Sequence, residues 1–163
     1  MTSRYKDTLL LIGDANSDRS SLHGIFESSY YLLEAENAAQ GVLLLEQNAR
    51  YIAAVLADIP LASGDDLRAL VEAAHTGQEN EIPVMAIITP SGTGENEEYA
   101  FVLGAADVVL KPYTKLAVQR RVQVLVDLYQ HQWHLEKLVE NGYRIWYDDG
   151  IAPGSEWPED IAQ

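Results

Sequence analysis

The sequence contains no cysteine among its 163 residues. Disulfides, thiolate metal sites and cysteine nucleophiles are therefore excluded. Basic residues are also scarce: 11 Lys and Arg stand against 25 Asp and Glu, giving a formal net charge of −14 at pH 7. The only adjacent basic pair is Arg120–Arg121. We therefore expect no nucleic-acid partner and no binding to an anionic membrane surface.

Long hydrophobic runs are missing as well. No apolar stretch approaches the ~18 residues that a membrane-spanning helix needs. Residues 1–7 carry no apolar stretch of signal-peptide type, so the expected location is the cytoplasm. The hydrophobic fraction of 47% is ordinary for a soluble globular protein, and the length predicts one domain or one domain with an extension.

Short apolar runs alternate with helical patterns over most of the chain. Runs that are apolar throughout suit strands buried on both faces of a parallel sheet. Five strand–helix units predict a doubly wound α/β domain. The predicted strands are 8–12, 30–34, 52–56, 83–88 and 108–110, and the predicted helices between them are 18–28, 38–49, 65–74 and 95–103.

A long helix is predicted from Thr114 to about Asn141, because this stretch has neither Pro nor Gly. At ~1.5 Å per residue it would be ~40 Å long, longer than a small domain is wide. One apolar face would cover the sheet, and the rest would be free to contact a partner. Residues 143–163 are rich in acid, Pro, Gly and Trp and show no periodicity, which is typical of a tail.

Polar side chains directly follow four of the predicted strands. They are Asp14, Asp58, Thr89 and Lys111. In an open parallel sheet, ligands bind outside the carboxyl ends of the strands, so these groups are expected to converge. Two carboxylates can hold a Mg²⁺ ion that keeps most of its waters. A carboxylate can also attack phosphorus, and a metal and a lysine can then neutralise the charge without a general base.

Four stretches in this order and spacing resemble the response-regulator receiver domain of two-component signalling, of the CheY-like type. The resemblance covers about residues 7–128. The matching stretches are Leu10–Asp14 with Arg19, Val55–Pro60 leading to Asp65–Leu67, Ile82–Thr89, and Gly104–Asp107 followed by Lys111–Tyr113.

The resemblance implies a flavodoxin-like (βα)5 sandwich, with a five-stranded parallel sheet in the order 2-1-3-4-5 and an extended C-terminal helix. It also implies a role for each residue at the strand ends. Asp58 would be the phosphoacceptor, Thr89 the switch hydroxyl and Lys111 the amine that pairs with the phosphate. Mg²⁺ would be held by Asp14, Asp58 and the backbone carbonyl of Pro60.

The chain also departs from the family pattern. The family usually has two adjacent acids after strand one, and here Gly13 replaces the first of them. We therefore expect weaker Mg²⁺ binding and slower phosphorylation. Ala62 replaces a usual proline, Val108 stands at the position of the aromatic switch, and Pro90 after Thr89 is unusual. The Lys111–Pro112 bond is expected to be cis, as it is in the family.

The predicted function is a phosphorylation-dependent signalling module rather than an enzyme. A sensor histidine kinase would supply the phosphoryl group, and the face of the fourth helix, fifth strand and fifth helix would contact a second copy or an output domain. Residues 7–128 would form the receiver and 129–163 a helical extension and acidic tail, either a connector to an output domain or the end of a stand-alone receiver.

Two alternatives stay open: a degenerate receiver that binds partners without phosphate, motivated by Gly13 and Val108, and a flavin carrier or small hydrolase. The sequence argues against a flavin carrier or hydrolase, because the strand ends have no Ser–His pair and no loop of the kind that binds phosphate.

Overall fold

A computed structural model describes residues 6–61, 64–76, 81–90 and 95–130 of the chain. Strands and helices alternate in the described part of the chain, as predicted, and from β1 to β5 each boundary lies within two residues of its expected place. Helix α5 is described over residues 115–130. The other elements are β1 (Thr8–Ile12), α1 (Arg19–Phe26), β2 (Tyr31–Ala35), α2 (Ala38–Asn48), β3 (Ile52–Ala57), α3 (Asp65–His75), β4 (Val84–Ile88), α4 (Glu95–Val102) and β5 (Asp107–Leu110).

The five strands form one parallel sheet in the order β2-β1-β3-β4-β5, which confirms the predicted flavodoxin-like topology. Strand β1 lies between β2 and β3, so β2 is added on one side of β1, and β3, β4 and β5 are added on the other side. Such a reversal of strand order opens a crevice at the carboxyl ends of β1 and β3. The end of β1 is aligned with the end of β3, because Ile12 is the register partner of Ala57.

Side chains of each central strand divide between two apolar layers, one on each face of the sheet. In β1, Leu10 and Ile12 pack in the layer covered by α2, α3 and α4, whereas Leu9 and Leu11 pack in the layer covered by α1 and α5. This alternation is the period of two expected for a strand. Because both faces are covered, every residue of β1 is buried, as in a sheet of this class.

Helix α5 closes the second layer. Val118 and Val122 are fully buried and belong to the same apolar cluster as Leu22 and Phe26 of α1. The predicted continuation of this helix to about Asn141 and the acidic tail lie outside the described residues. The proposed division at residue 128 therefore stays a prediction. Within the described part of the chain, no helix is both long and apolar enough to cross a membrane.

Candidate functional site

The carboxyl ends of β1 and β3 place Gly13 and Asp58 side by side. The amide of Asp58 donates a hydrogen bond of 2.8 Å to the carbonyl of Ile12, so the β1–β3 pairing continues one residue into the loop. The same happens between β4 and β5, where the amide of Lys111 donates to the carbonyl of Ile88 at 2.9 Å. Backbone pairing therefore fixes where the acid and the amine leave the sheet.

The central contact of the site joins Lys111 to Asp58. Lys111 Nζ lies 2.8 Å from Asp58 Oδ2. The Asp58 side chain is only 9% exposed and the Lys111 side chain 21% exposed, so the pair is largely removed from water. A carboxylate this poorly hydrated needs a partner charge, because burying it unpaired costs several kcal/mol. Lys111 supplies that charge.

A second donor reaches Asp58 from the loop between β1 and α1. The backbone amide of Asp18 donates to Asp58 Oδ2 at 2.6 Å. The Asp18 carboxylate also enters the site, with its Oδ2 3.9 Å from Lys111 Nζ. One ammonium group thus lies within ion-pair distance of two carboxylates.

Asp14 makes a different contact, within its own loop. It is exposed, and its Oδ1 accepts a hydrogen bond of 2.8 Å from the amide of Asn16. The carbonyl of Asp14 accepts from the Ser17 hydroxyl at 2.6 Å, so both ends of the residue help to close the turn that follows β1. The carboxylate is at the predicted edge of the sheet and is used there as a turn-forming acceptor.

Ser17 fills the space that a side chain on Gly13 would need. A Cβ built on Gly13 would collide with Ser17 Oγ and would lie 2.7 Å from Ser17 Cβ. The Gly13 carbonyl accepts a hydrogen bond of 2.7 Å from Arg19, whose guanidinium also pairs with Glu34 at 3.3 Å. The loop is therefore packed around a glycine, and the missing acid leaves no gap.

The ligands predicted for Mg²⁺ are two carboxylates and one carbonyl at the same edge of the sheet. Carboxylate and carbonyl oxygens are the donors that Mg²⁺ accepts, and the ion usually keeps several waters. Among the described residues, however, no three acidic or histidine side chains are grouped closely enough to hold a metal. The donor set of two carboxylates and one carbonyl suits Mg²⁺ in its chemistry. Binding of the ion by Asp14, Asp58 and the carbonyl of the exposed Pro60 stays a prediction.

Two further predicted features have definite positions. Thr89 follows the last residue of β4 and is exposed, on the same edge as Asp58. Val108, at the position of the aromatic switch, is a buried core residue that is 4% exposed. The Lys111–Pro112 peptide bond is cis, as expected from the resemblance. Ala62 lies outside the described residues.

Tyr113 is a site neighbour that the sequence did not single out. Its hydroxyl is buried and makes no hydrogen bond of good geometry with the described residues. Burial, then the nearby Asp18 carboxylate and the charge of Asp58, raise the pKa of Tyr113 above its ordinary value of 10.0. The hydroxyl is therefore protonated at neutral pH and available as a donor. Asp18 and Tyr113 both flank predicted site residues, four positions after Asp14 and two after Lys111, which is the signal that could have found them.

Comparison with known proteins finds no matching family model and no matching curated protein. Solved structures do match. The receiver domain of the sensor histidine kinase PA1611 from Pseudomonas aeruginosa, solved with magnesium coordinated in its active-site cleft, is 23% identical with a TM-score of 0.61, covering 74% of this chain and 98% of that chain. A CheY-like receiver domain protein from Methanospirillum hungatei is 18% identical with a TM-score of 0.63, covering 78% and 98%.

A third match comes from a complex. The receiver domain of the response regulator Ssk1 from Saccharomyces cerevisiae, solved with the histidine phosphotransfer protein Ypd1, is 15% identical with a TM-score of 0.58, covering 74% of this chain and 89% of that chain. All three proteins are receiver domains, and each match covers most of the length of the matched domain. The described part of the chain thus has the fold of the CheY-like response-regulator receiver domains.

Proposed function

We propose that this chain is a phosphoryl-accepting signalling module of the two-component type, with Asp58 as the acceptor. The observation that carries the proposal is the 2.8 Å contact between Lys111 Nζ and Asp58 Oδ2 at the carboxyl edge of the sheet. A nearly buried acid with a lysine partner, at the reversal point of a parallel sheet, is placed where ligands of this fold class bind. The likeness in fold to the receiver of a histidine kinase and to a receiver solved with a phosphotransfer protein supports a kinase or phosphotransfer protein as the partner.

In the proposed reaction, one Asp58 carboxylate oxygen attacks the phosphorus of a phosphohistidine on the partner. The new O–P bond forms as the P–N bond breaks, and the imidazole leaves with the electron pair and takes up a proton. Lys111 is already beside the acceptor, so it can follow the charge from the carboxylate to the phosphoryl oxygens without a large rearrangement. A Mg²⁺ ion held by Asp14, Asp58 and the Pro60 carbonyl would neutralise further charge.

After transfer, Thr89 is the group on the same edge that would donate its hydroxyl to the phosphoryl group. The bonded arrangement would favour one conformation of the loop after β4 and of α4. The proposed readout is a change in contacts on the face formed by α4, β5 and α5. That face carries exposed apolar side chains, which suit a second copy or an output domain: Val102 at 79% exposure, Leu110 at 40% and Leu116 at 69%.

The test is phosphorylation by a small donor. The protein is incubated with Mg²⁺ and acetyl phosphate, and its intact mass is measured beside Asp58→Asn and Lys111→Met. Uptake of one phosphate by the wild type, lost in Asp58→Asn and reduced in Lys111→Met, is the expected result. Lys115→Met is the matched control, since Lys115 is an exposed lysine in the first turn of α5. Equal uptake by wild type and Asp58→Asn would show that another group accepts the phosphate.

A degenerate receiver is the second candidate, and the packing of Ser17 against Gly13 favours it. The site has one acid fewer than the family pattern, and the space for that acid is closed. On this alternative the Lys111–Asp58 pair is permanent and partner binding does not need phosphate. No phosphate uptake at high Mg²⁺, together with unchanged partner binding by Asp58→Asn, would favour this function over the first.

A further inference from the structure

Asp18 stands at the N-cap of α1 yet does not cap it. Aspartate is among the preferred N-cap residues because its carboxylate accepts from the free amides of the first turn. In the described part of the chain, the Asp18 side chain makes no such bond. Its Oδ2 lies instead 3.9 Å from Lys111 Nζ, while its own amide donates to Asp58. The carboxylate is therefore directed towards the acceptor site and not along the helix.

The surroundings of Tyr113 agree with that direction. The buried hydroxyl of Tyr113 is under the influence of the charges of Asp18 and Asp58. Asp18 thus interacts with an ammonium group and with a neutral hydroxyl, both supplied by the segment that follows β5. The family resemblance assigns no role to an acid at this position, and the loop places one there.

We propose that Asp18 is a positioning residue that competes for Lys111. In the free protein its carboxylate shares the lysine charge with Asp58. An arriving phosphoryl group adds negative charge beside Asp18 and must draw Lys111 away from it. Asp18 therefore sets how strongly the site resists an added anion. The inference rests on the proposed function, because it assigns Asp18 to the same acceptor site.

The first test uses beryllofluoride, which mimics a phosphoryl group on a carboxylate. Wild type and Asp18→Asn are titrated with it in the presence of Mg²⁺, and binding is followed through backbone amide signals in NMR spectra. The substitution keeps the amide that donates to Asp58 and removes only the charge. We expect Asp18→Asn to bind about threefold to tenfold more tightly, the effect of removing one like charge a few ångströms away in a partly screened site.

The matched control is Asp66→Asn, because Asp66 is an exposed acid in the first turn of α3. It should bind beryllofluoride as the wild type does. An Asp18→Asn affinity equal to that of Asp66→Asn would overturn the proposal. Weaker binding by Asp18→Asn would also overturn it, and would assign Asp18 to holding the cation instead.

The second test needs no phosphoryl mimic. A double-mutant cycle of Asp18→Asn and Lys111→Met is measured by urea unfolding of the free protein. If Asp18 and Asp58 share the charge of Lys111, the cycle should give a coupling free energy between positions 18 and 111. The same cycle with Lys115→Met in place of Lys111→Met should give no coupling free energy. If the two positions are not coupled but the wild type still binds beryllofluoride, the role of Asp18 is overturned and the proposed function is not. If the two positions are coupled but no variant binds beryllofluoride, the proposed function is overturned, and the competition for Lys111 with it.

Discussion

Residues of the site follow from where strands end. Asp58 and Lys111 could be predicted because each comes directly after an apolar strand, and backbone pairing then brings the two together. The direction of a loop side chain has no such signal. Asp14 is found as a turn-forming acceptor, and Asp18, which the sequence marks only as the start of a helix, is the acid that reaches Lys111. Contacts of this kind depend on loop packing, which a strand-and-helix pattern does not encode.

At the same scale, restoring the missing acid should fail unless Ser17 is also changed. Gly13→Asp alone is expected to lower the free energy of unfolding and leave Mg²⁺ affinity unimproved, because its Cβ would collide with Ser17. Gly13→Asp with Ser17→Gly should bind Mg²⁺ more tightly than the wild type, because the collision is removed. The double variant should not regain the full stability of the wild type, because the hydrogen bond from the Ser17 hydroxyl to the Asp14 carbonyl is lost. Calorimetric titration with Mg²⁺ and urea unfolding check both. Tighter binding by Gly13→Asp alone would contradict this account of the loop.

Tyrosine ionisation gives a residue-level pH dependence. Burial is the main cause that raises the pKa of Tyr113, and also of Tyr30 and Tyr129. Unfolded tyrosines ionise near pH ~10, so above that pH the unfolded state loses protons first. The free energy of unfolding should therefore be unaffected by these groups at neutral pH and should fall as the pH rises above about 10.

Urea unfolding at several alkaline pH values measures this fall. Tyr113→Phe should make the fall shallower, because the buried hydroxyl is then absent from both states. An equally steep fall in Tyr113→Phe and in the wild type would contradict the assignment.

Elements differ in how far local sequence decides them. The strands were predictable because a sheet covered on both faces needs residues that are apolar throughout. Helix ends shift by a residue or two since terminal turns are weakly held. In α2 a local signal does decide the start, because the Asn37 side chain caps the helix by accepting from the Gln40 amide at 2.9 Å.

Two glycines give an element-level prediction of opposite sign. Gly24 lies within α1, is exposed, and has open space where a Cβ would be. Gly24→Ala should therefore raise the free energy of unfolding by about 0.5–1 kcal/mol, as expected for an exposed helix interior. Gly104 has φ +106, and a Cβ there would lie 2.7 Å from Val71 Cγ1. Gly104→Ala should destabilise by about 1 kcal/mol or more. Thermal and urea unfolding measure the change in the free energy of unfolding for each variant. A change of the same sign in Gly24→Ala and Gly104→Ala would contradict the argument.

The whole molecule carries a net charge of −14, which works against compaction. Raising NaCl from about 10 mM to about 100 mM shortens the screening length from about 30 Å to about 10 Å. The melting temperature should therefore rise over this range. Calorimetry measures it, and an equal increment added on top of about 1 M salt should change little, since screening is then nearly complete. A fall in melting temperature would show that attractive ion pairs outweigh the net repulsion.

The acceptor role of Asp58 is tested most directly by locating the phosphate. The protein is treated with Mg²⁺ and acetyl phosphate, reduced with borohydride, digested and analysed by peptide mass spectrometry. Borohydride converts an acyl phosphate to an alcohol and leaves ordinary carboxylates unchanged. We predict reduction at Asp58 in the wild type and a sharply lower yield in Lys111→Met. Reduction at another acid, or at none, would contradict the proposal that Asp58 accepts the phosphoryl group.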